Sequence, residues 1–232
     1  MIGIFDSGVG GLASLQELRK YSETADVLYL ADQKNAPYGT KTRDELIELV
    51  NRDIDILASR GCEQILIACC TASTVFDALT PRARCLATPI IEPTAYAAAA
   101  ITTRGNIAVL ATDRTVLSGE FTRQIHKYSK MSRITEIRAQ PLVSLVEGGA
   151  RDGAISERER LIIESILSPL IGQNIDTVIL GCTHFSHIER EIGALLGGAR
   201  TVLASREGVA ELIRKNGSHA LSGRGDTTYI NT

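Results

Sequence analysis

The sequence predicts an α/β fold made of two similar halves with mainly parallel sheets. Three observations predict it. Short apolar runs alternate with amphipathic helical patterns along most of the 232 residues, and strand, helix, strand, helix is the order that lays helices on a parallel sheet. Two helical patterns open on capping boxes, which fixes where they start. One local motif also occurs twice, roughly half the chain apart. Residues 65–73 read "ILIACCTAS" and residues 178–186 read "VILGCTHFS", each an apolar run ending in a small residue, a cysteine and, close behind, a threonine. Chance recurrence in a chain with five cysteines is the competing explanation.

In order, the strand candidates are 2–5, 27–31, 65–69, 86–91, 107–111, 134–138, 177–181 and 200–203. The first leads into the glycine-rich turn "DSGVGG" and then a helical pattern. Between the second and third strands, residues 43–60 form the clearest helix. Leu46, Val50, Ile54 and Leu57 share one face at helical spacing, Thr42 and Glu45 make the capping box, and Gly61 supplies the stop. Pro93, in "IIEPTAYAAAA", interrupts the pattern after the fourth strand and places a boundary there, with halves 1–93 and 94–205. In the second half, Ser156 and Glu159 cap the helix that runs into "LIIESIL". The tail after Ser205 holds a helical pattern, "EGVAELIRK", and a short run, "TTYIN".

Composition excludes several classes. Net charge is −2 and no Lys/Arg cluster stands out, so no nucleic-acid footprint is expected. No apolar run approaches the ~18 residues of a membrane span, and "MIGIFDSG" lacks the basic-then-apolar order of a secretory leader. Cys62, Cys69, Cys70, Cys85 and Cys182 are odd in number and contain no C-x-x-C pair. That reads as a reduced, cytoplasmic protein without structural zinc, Cys182-x-His184 alone being a weak ligand set. In such a protein Arg224-Gly225-Asp226 and Asn216-Gly217-Ser218 are accidental matches to adhesion and glycosylation motifs.

Ligands of parallel α/β sheets gather beyond the carboxyl ends of the strands, where both cysteine motifs fall. The first glycine loop lies there too. Gly8, Gly10 and Ala13 fit the dinucleotide pattern, with Asp32 ending the next strand where a ribose-binding acid would sit. A dinucleotide-binding oxidoreductase using the Gly8–Gly11 loop is therefore a reading from a different class. Asp6 and Ser7 count against it, because a carboxylate there would face the pyrophosphate. Asp6 could instead meet a cation or a thiol while Ser7 and backbone N–H groups approach a small anion, or either residue could cap the helix. A second loop, around Pro37-Tyr38-Gly39, is a turn rich in hydrogen-bonding groups.

A cysteine at a helix start has its thiolate favoured by the terminal amides. One such cysteine with His184 nearby suggests a nucleophilic hydrolase or transferase. Two facing cysteines have a more specific use. One thiolate removes a proton from a carbon held between them, the opposite thiol returns one to the other face, and the stereocentre inverts. Asp6 and His184 are the groups placed to hold the two protonation states. A non-catalytic binding protein is disfavoured, since binding alone does not require two opposed thiols.

The stretches "IGIFDSGVGGL", "APYGTKT", "IACCTAS", "PLVSLVEGG" and "LGCTHF", in that order from residue 2 to about 190, resemble the cofactor-independent aspartate/glutamate racemases, and glutamate racemase in particular. The resemblance implies two α/β domains with the active site in the cleft between them, and residues 206–232 returning to the first. It implies interconversion of L- and D-glutamate without pyridoxal phosphate, metal or any other cofactor, with the D-isomer feeding bacterial peptidoglycan synthesis. It implies catalytic thiols at Cys69 and Cys182, assisted by Asp6, His184 and Glu147. Substrate contacts fall on Ser7, Tyr38, Gly39, Thr71 and Thr183, with Thr115 the match for a threonine after the first strand of the second half. It also implies a homodimer. Cys70 departs from the pattern, because the family usually carries a substrate-contacting Asn there, and a thiol cannot copy an amide's two-way bonding. An altered acidic substrate such as aspartate, or weak activity, would follow from that change. Two further departures, at Ser205-Arg206-Glu207 and after "TTYINT", bear on domain packing.

Overall fold

The computed structural model describes residues 1–217 and 221–232, so Ser218 of the Asn216-Gly217-Ser218 motif lies outside the described residues. The chain begins with β1 (Ile2–Asp6), α1 (Leu12–Tyr21) and β2 (Val27–Ala31). It continues through α2 (Arg43–Ser59), β3 (Gln64–Ile67), α3 (Cys70–Ser73), α4 (Pro81–Leu86), β4 (Ala87–Pro89) and α5 (Ile91–Ile101). Next come β5 (Asn106–Ala111), α6 (Asp113–Ser118), α7 (Glu120–Tyr128), β6 (Arg133–Arg138), α8 (Gln140–Glu147) and α9 (Glu157–Leu167). The last elements are β7 (Thr177–Gly181), α10 (Glu189–Leu195), β8 (Arg200–Leu203), α11 (Ala204–Asn216) and β9 (Thr227–Asn231).

The strands form two sheets, ordered β4-β3-β1-β2-β9 and β6-β5-β7-β8, and every neighbouring pair is parallel. The two orders correspond strand for strand, with β2-β1-β3-β4 repeated as β6-β5-β7-β8. In each sheet the chain winds outward from the first strand to one side and then to the other. The gap between β1 and β3, and between β5 and β7, is therefore a topological switch point, where a crevice opens beyond the carboxyl ends. Cys69 follows β3 and Cys182 follows β7, so the repeated motif occupies equivalent places in the two halves.

Three apolar clusters hold these layers. One lies between the sheets and joins both, with Ile4 and Leu66 from the first packed with Ile107 and Ile179 from the second through α5 and α11. The others close the outer faces, α2 over the first sheet through Leu46, Val50, Ile54 and Leu57, and α8 and α9 over the second through Leu142, Val146 and Ile163. Both capping boxes form. Thr42 Oγ1 accepts from Glu45 N at 3.3 Å while Glu45 Oε2 accepts from Thr42 N at 2.7 Å, and Ser156 and Glu159 repeat the pair at the same distances. Gly61 ends the α2 turn with φ +89°, a conformation that favours glycine.

Four sequence expectations are corrected. The strand expected over 65–69 stops at Ile67, and Cys69 is the N-cap residue of α3. The strand expected over 86–91 is only Ala87–Pro89, flanked by helices. Pro93 does not break the pattern but sits in the first turn of α5, where its missing N–H would have had no intrahelical acceptor. The run "TTYIN" is a full strand, β9, paired along β2 with Tyr229 opposite Tyr29 and the two rings 5.9 Å apart. Arg224-Gly225-Asp226 forms the turn before it, with the Arg224 and Asp226 N–H groups donating to Asp26 Oδ1 at 2.8 and 3.2 Å. α11 lies against α1, α5, β3 and β4 and also touches β7 and β8. Among the described residues no helix is long and apolar enough to cross a membrane.

Candidate active site

The carboxyl ends of the two sheets meet in a cavity of about 40 Å³ lined from both halves. At ~10–15 Å³ per water, it has room for a few waters. Cys69, Cys70, Thr71, Ser7, Tyr38 and Gly39 line it from the first half, and Cys182, Thr183, His184 and Glu147 from the second. Ten of the twelve sequence-proposed site residues are on this wall, and the other two, Asp6 and Thr115, stand immediately behind it. Asp6 is wholly buried, and its Oδ2 accepts from Thr183 Oγ1 at 3.3 Å. Thr115 Oγ1 lies 3.2 Å from Thr71 and 2.9 Å from Thr112, and it is Thr112 that reaches the cavity.

Each thiol has its own set of neighbours. Cys69 Sγ lies 3.6 Å from Ser7 Oγ and accepts from Ala72 N at 3.5 Å. Cys182 Sγ lies 3.6 Å from His184 Nδ1. On the far side of that ring, Nε2 is 3.5 Å from Glu147 Oε1, within ion-pairing reach when the ring is protonated but without a hydrogen bond. The expected lowering of the thiol pKa by a helix start is not met. α3 has four residues and Cys182 leads into a 3₁₀ turn, so neither carries the dipole of a long helix, and burial dominates. Burial, together with the Asp6 carboxylate, pushes Cys69 up to about 11. Burial raises Cys182 as well, against the opposing His184 backbone N–H. Cys70 is also raised by burial, so the thiol at that position is neutral. Asp6 is raised by burial, with the His184 charge and the N–H groups of Gly8 and Gly11 pulling the other way.

The glycine loop is built for this meeting of halves. The N–H of Gly8 donates to Asp6 Oδ1 at 2.8 Å, and α1 starts only at Leu12 with Gly11 as an N-cap lacking a side-chain bond. Asp6 and Ser7 therefore do not cap the helix. A Cβ at Gly10 would fall 2.5 Å from Thr183 Oγ1 and 2.7 Å from His184 Nδ1, and one at Gly11 would fall 2.5 Å from Asp6 Cβ. Gly10 and Gly11 are thus packed against the protein's own side chains. Among the described residues no three His, Cys, Asp or Glu side chains gather as metal ligands.

Tyr38 is fixed from behind. Its hydroxyl lies 2.6 Å from Asp32 Oδ2 and 3.0 Å from Asp53 Oδ2, and Arg52 bridges both carboxylates at 2.7 and 2.6 Å. The hydroxyl is committed there, so Tyr38 offers the cavity its ring and backbone. A larger cavity, about 620 Å³, lies between α5, α7 and α11. It contains no thiol or imidazole and so lacks a proton-transfer pair. Sequence reasoning passed over Thr112, Gln140 and Val143, all on the cavity wall. A signal existed for two of them, because Gln140 and Val143 precede Glu147 by seven and four residues on α8 and so share its face.

The chain has close counterparts among known proteins. A family model described as Asp/Glu/Hydantoin racemase matches residues 16–211. The glutamate racemase of Pseudomonas paraeruginosa is 34% identical over 216 residues, covering 92% of this chain and 80% of that protein. Two solved structures superpose over 100% of this chain. The glutamate racemase of Francisella tularensis in complex with D-glutamate has a TM-score of 0.90 at 25% identity and 87% coverage of its own length. That of Aquifex pyrophilus has a TM-score of 0.81 at 30% identity and 88% coverage.

Proposed function

The chain belongs to the Asp/Glu/Hydantoin racemase family, and from that premise we propose that it interconverts L- and D-glutamate by proton transfer between Cys69 and Cys182. One observation carries the reading. Two thiols at equivalent strand ends of two like-ordered sheets line one cavity, and each has a different polar group beside it.

In the proposed cycle glutamate lies with Cα between the sulfurs. The thiolate of one cysteine takes the Cα proton and becomes a thiol. The electron pair left on carbon is delocalised into the α-carboxylate, and the opposite thiol delivers its proton to the other face and becomes a thiolate. The enzyme finishes with the two protonation states exchanged, which is the form that accepts the product enantiomer. Ser7 and the Ala72 N–H hold charge on Cys69, while His184 serves Cys182 with Glu147 behind it and Asp6 between the two sets. The hydroxyls of Thr71, Thr112 and Thr183, paired within the protein in the empty site, exchange those partners for the substrate carboxylates. Acting as a homodimer in the cytoplasm, such an enzyme supplies D-glutamate for peptidoglycan. The test is incubation with L-glutamate, and separately L-aspartate, without added cofactor, followed by chiral analysis. D-Glutamate is expected, and its absence ends the reading.

The raised thiol pKa values give a pH dependence. In the empty site at neutral pH both cysteines are protonated, whereas turnover needs one thiolate and one thiol. The thiolate share of Cys69 grows about tenfold per pH unit below its pKa of about 11. We expect log kcat/KM, which reports the free enzyme, to rise with a slope near one between about pH 7 and 9 and to turn over only above that, once the second thiol ionises. A flat profile over that range would contradict the assignment.

A further inference from the structure

We infer that Gln140 is a substrate-binding residue, its side-chain carboxamide accepting a hydrogen bond from the substrate ammonium group. The inference rests on the racemase reading. Most of the other polar side chains on the cavity wall already have partners. Thr71 and Thr112 pair with each other at 2.9 Å, Thr183 donates to Asp6, Tyr38 is held by Asp32, and Ser7 and His184 attend the two thiols. Cys70 contributes a neutral, buried thiol, a poor donor and acceptor. Gln140 supplies the one carboxamide among the residues lining the cavity. Its Oε1 is buried and has no hydrogen-bond partner among the described residues, an unusual state for a buried carbonyl in a folded protein.

Its position is also prepared. Gln140 begins α8, the helix that ends at Glu147, so both approach the cavity from one helical face. Across the cleft stands Gly39, where any Cβ would overlap Gln140 Oε1. The glycine leaves room for the carboxamide of the opposite half. An amide oxygen held in that slot, unpaired until a ligand arrives, matches a cationic N–H donor. The other strong acceptor on the wall, the Glu147 carboxylate, faces the His184 ring at 3.5 Å.

The test uses Gln140→Met, which keeps length and removes hydrogen bonding, and Gln140→Glu, which keeps an acceptor oxygen. Loss of a hydrogen bond to a charged group predicts a rise in KM of at least about tenfold for both enantiomers in Q140M, with kcat within about threefold of wild type. KM in Q140E should stay closer to wild type than in Q140M. Racemisation by Q140M at wild-type KM overturns the inference and leaves the racemase reading intact, as does a fall in kcat with KM unchanged. A KM for Q140E as high as that of Q140M overturns the acceptor role. No racemisation by the wild-type protein removes the racemase reading and this inference with it.

Discussion

Replacing either Cys69 or Cys182 by serine is expected to lower glutamate racemisation in both directions by about 10³-fold or more. General acid–base catalysis contributes typically ~10²–10⁴-fold, and here each thiol must serve as base in one direction and acid in the other. A serine hydroxyl is far too weak an acid to ionise in its place. The fold should survive the change. Both cysteines are small and almost fully buried, and a serine at 69 can still accept from the Ala72 N–H that the sulfur now accepts from. Far-UV circular dichroism and a melting curve would establish folding, and chiral chromatography of timed reactions would measure the rates. A variant within tenfold of wild type would remove that thiol from the proton path. The same loss is not expected from Cys62 or Cys85, which lie away from the cavity wall.

The second large effect is expected from one methyl group. Gly10→Ala would place a Cβ 2.5 Å from Thr183 Oγ1, 2.7 Å from His184 Nδ1 and 2.8 Å from His184 Cε1, closer than such atoms approach. Either the loop or the Thr183-His184 pair must move, and the imidazole beside Cys182 and the hydroxyl bound to Asp6 move with it. Misplacement by about 1 Å can cost ~10²-fold in rate, so kcat/KM should fall by about that factor. Gly10 has no positive φ to defend, so stability should change less than activity. Wild-type kcat/KM in G10A would show that the close approach of the halves is not needed for turnover. The glycine loop, which as sequence invited comparison with a dinucleotide site, here serves contact between two protein surfaces.

Much of this was legible in the sequence. The strands 27–31 and 177–181 have the same bounds in the structure because they are apolar and buried throughout, and burial is what a hydrophobic run records. The capping boxes were legible because a cap is a bond between residues three apart. The paired thiols could be read because the two halves repeat one local motif. What was missed depends on contacts distant in sequence. β9 is a half-exposed edge strand whose polar run acquires its structure from pairing with β2. Pro93 looked like a break because its place in the helix, not its identity, decides its effect. The thiol environment was misjudged because the sequence shows a cysteine before a helical pattern but neither the helix length nor the burial around the sulfur. Gln140 and Thr112 gain meaning only when the second half closes on Gly39 and Thr71.

The most direct test follows the label during racemisation of L-glutamate by the wild-type enzyme in deuterated water, stopped at low conversion. Two opposed thiols, each serving one face, predict that the D-glutamate formed carries deuterium at Cα while recovered L-glutamate remains almost wholly protonated. Deuterium appearing in recovered L-glutamate as fast as in the D-glutamate product would mean that a single group serves both faces, and would contradict the two-thiol account.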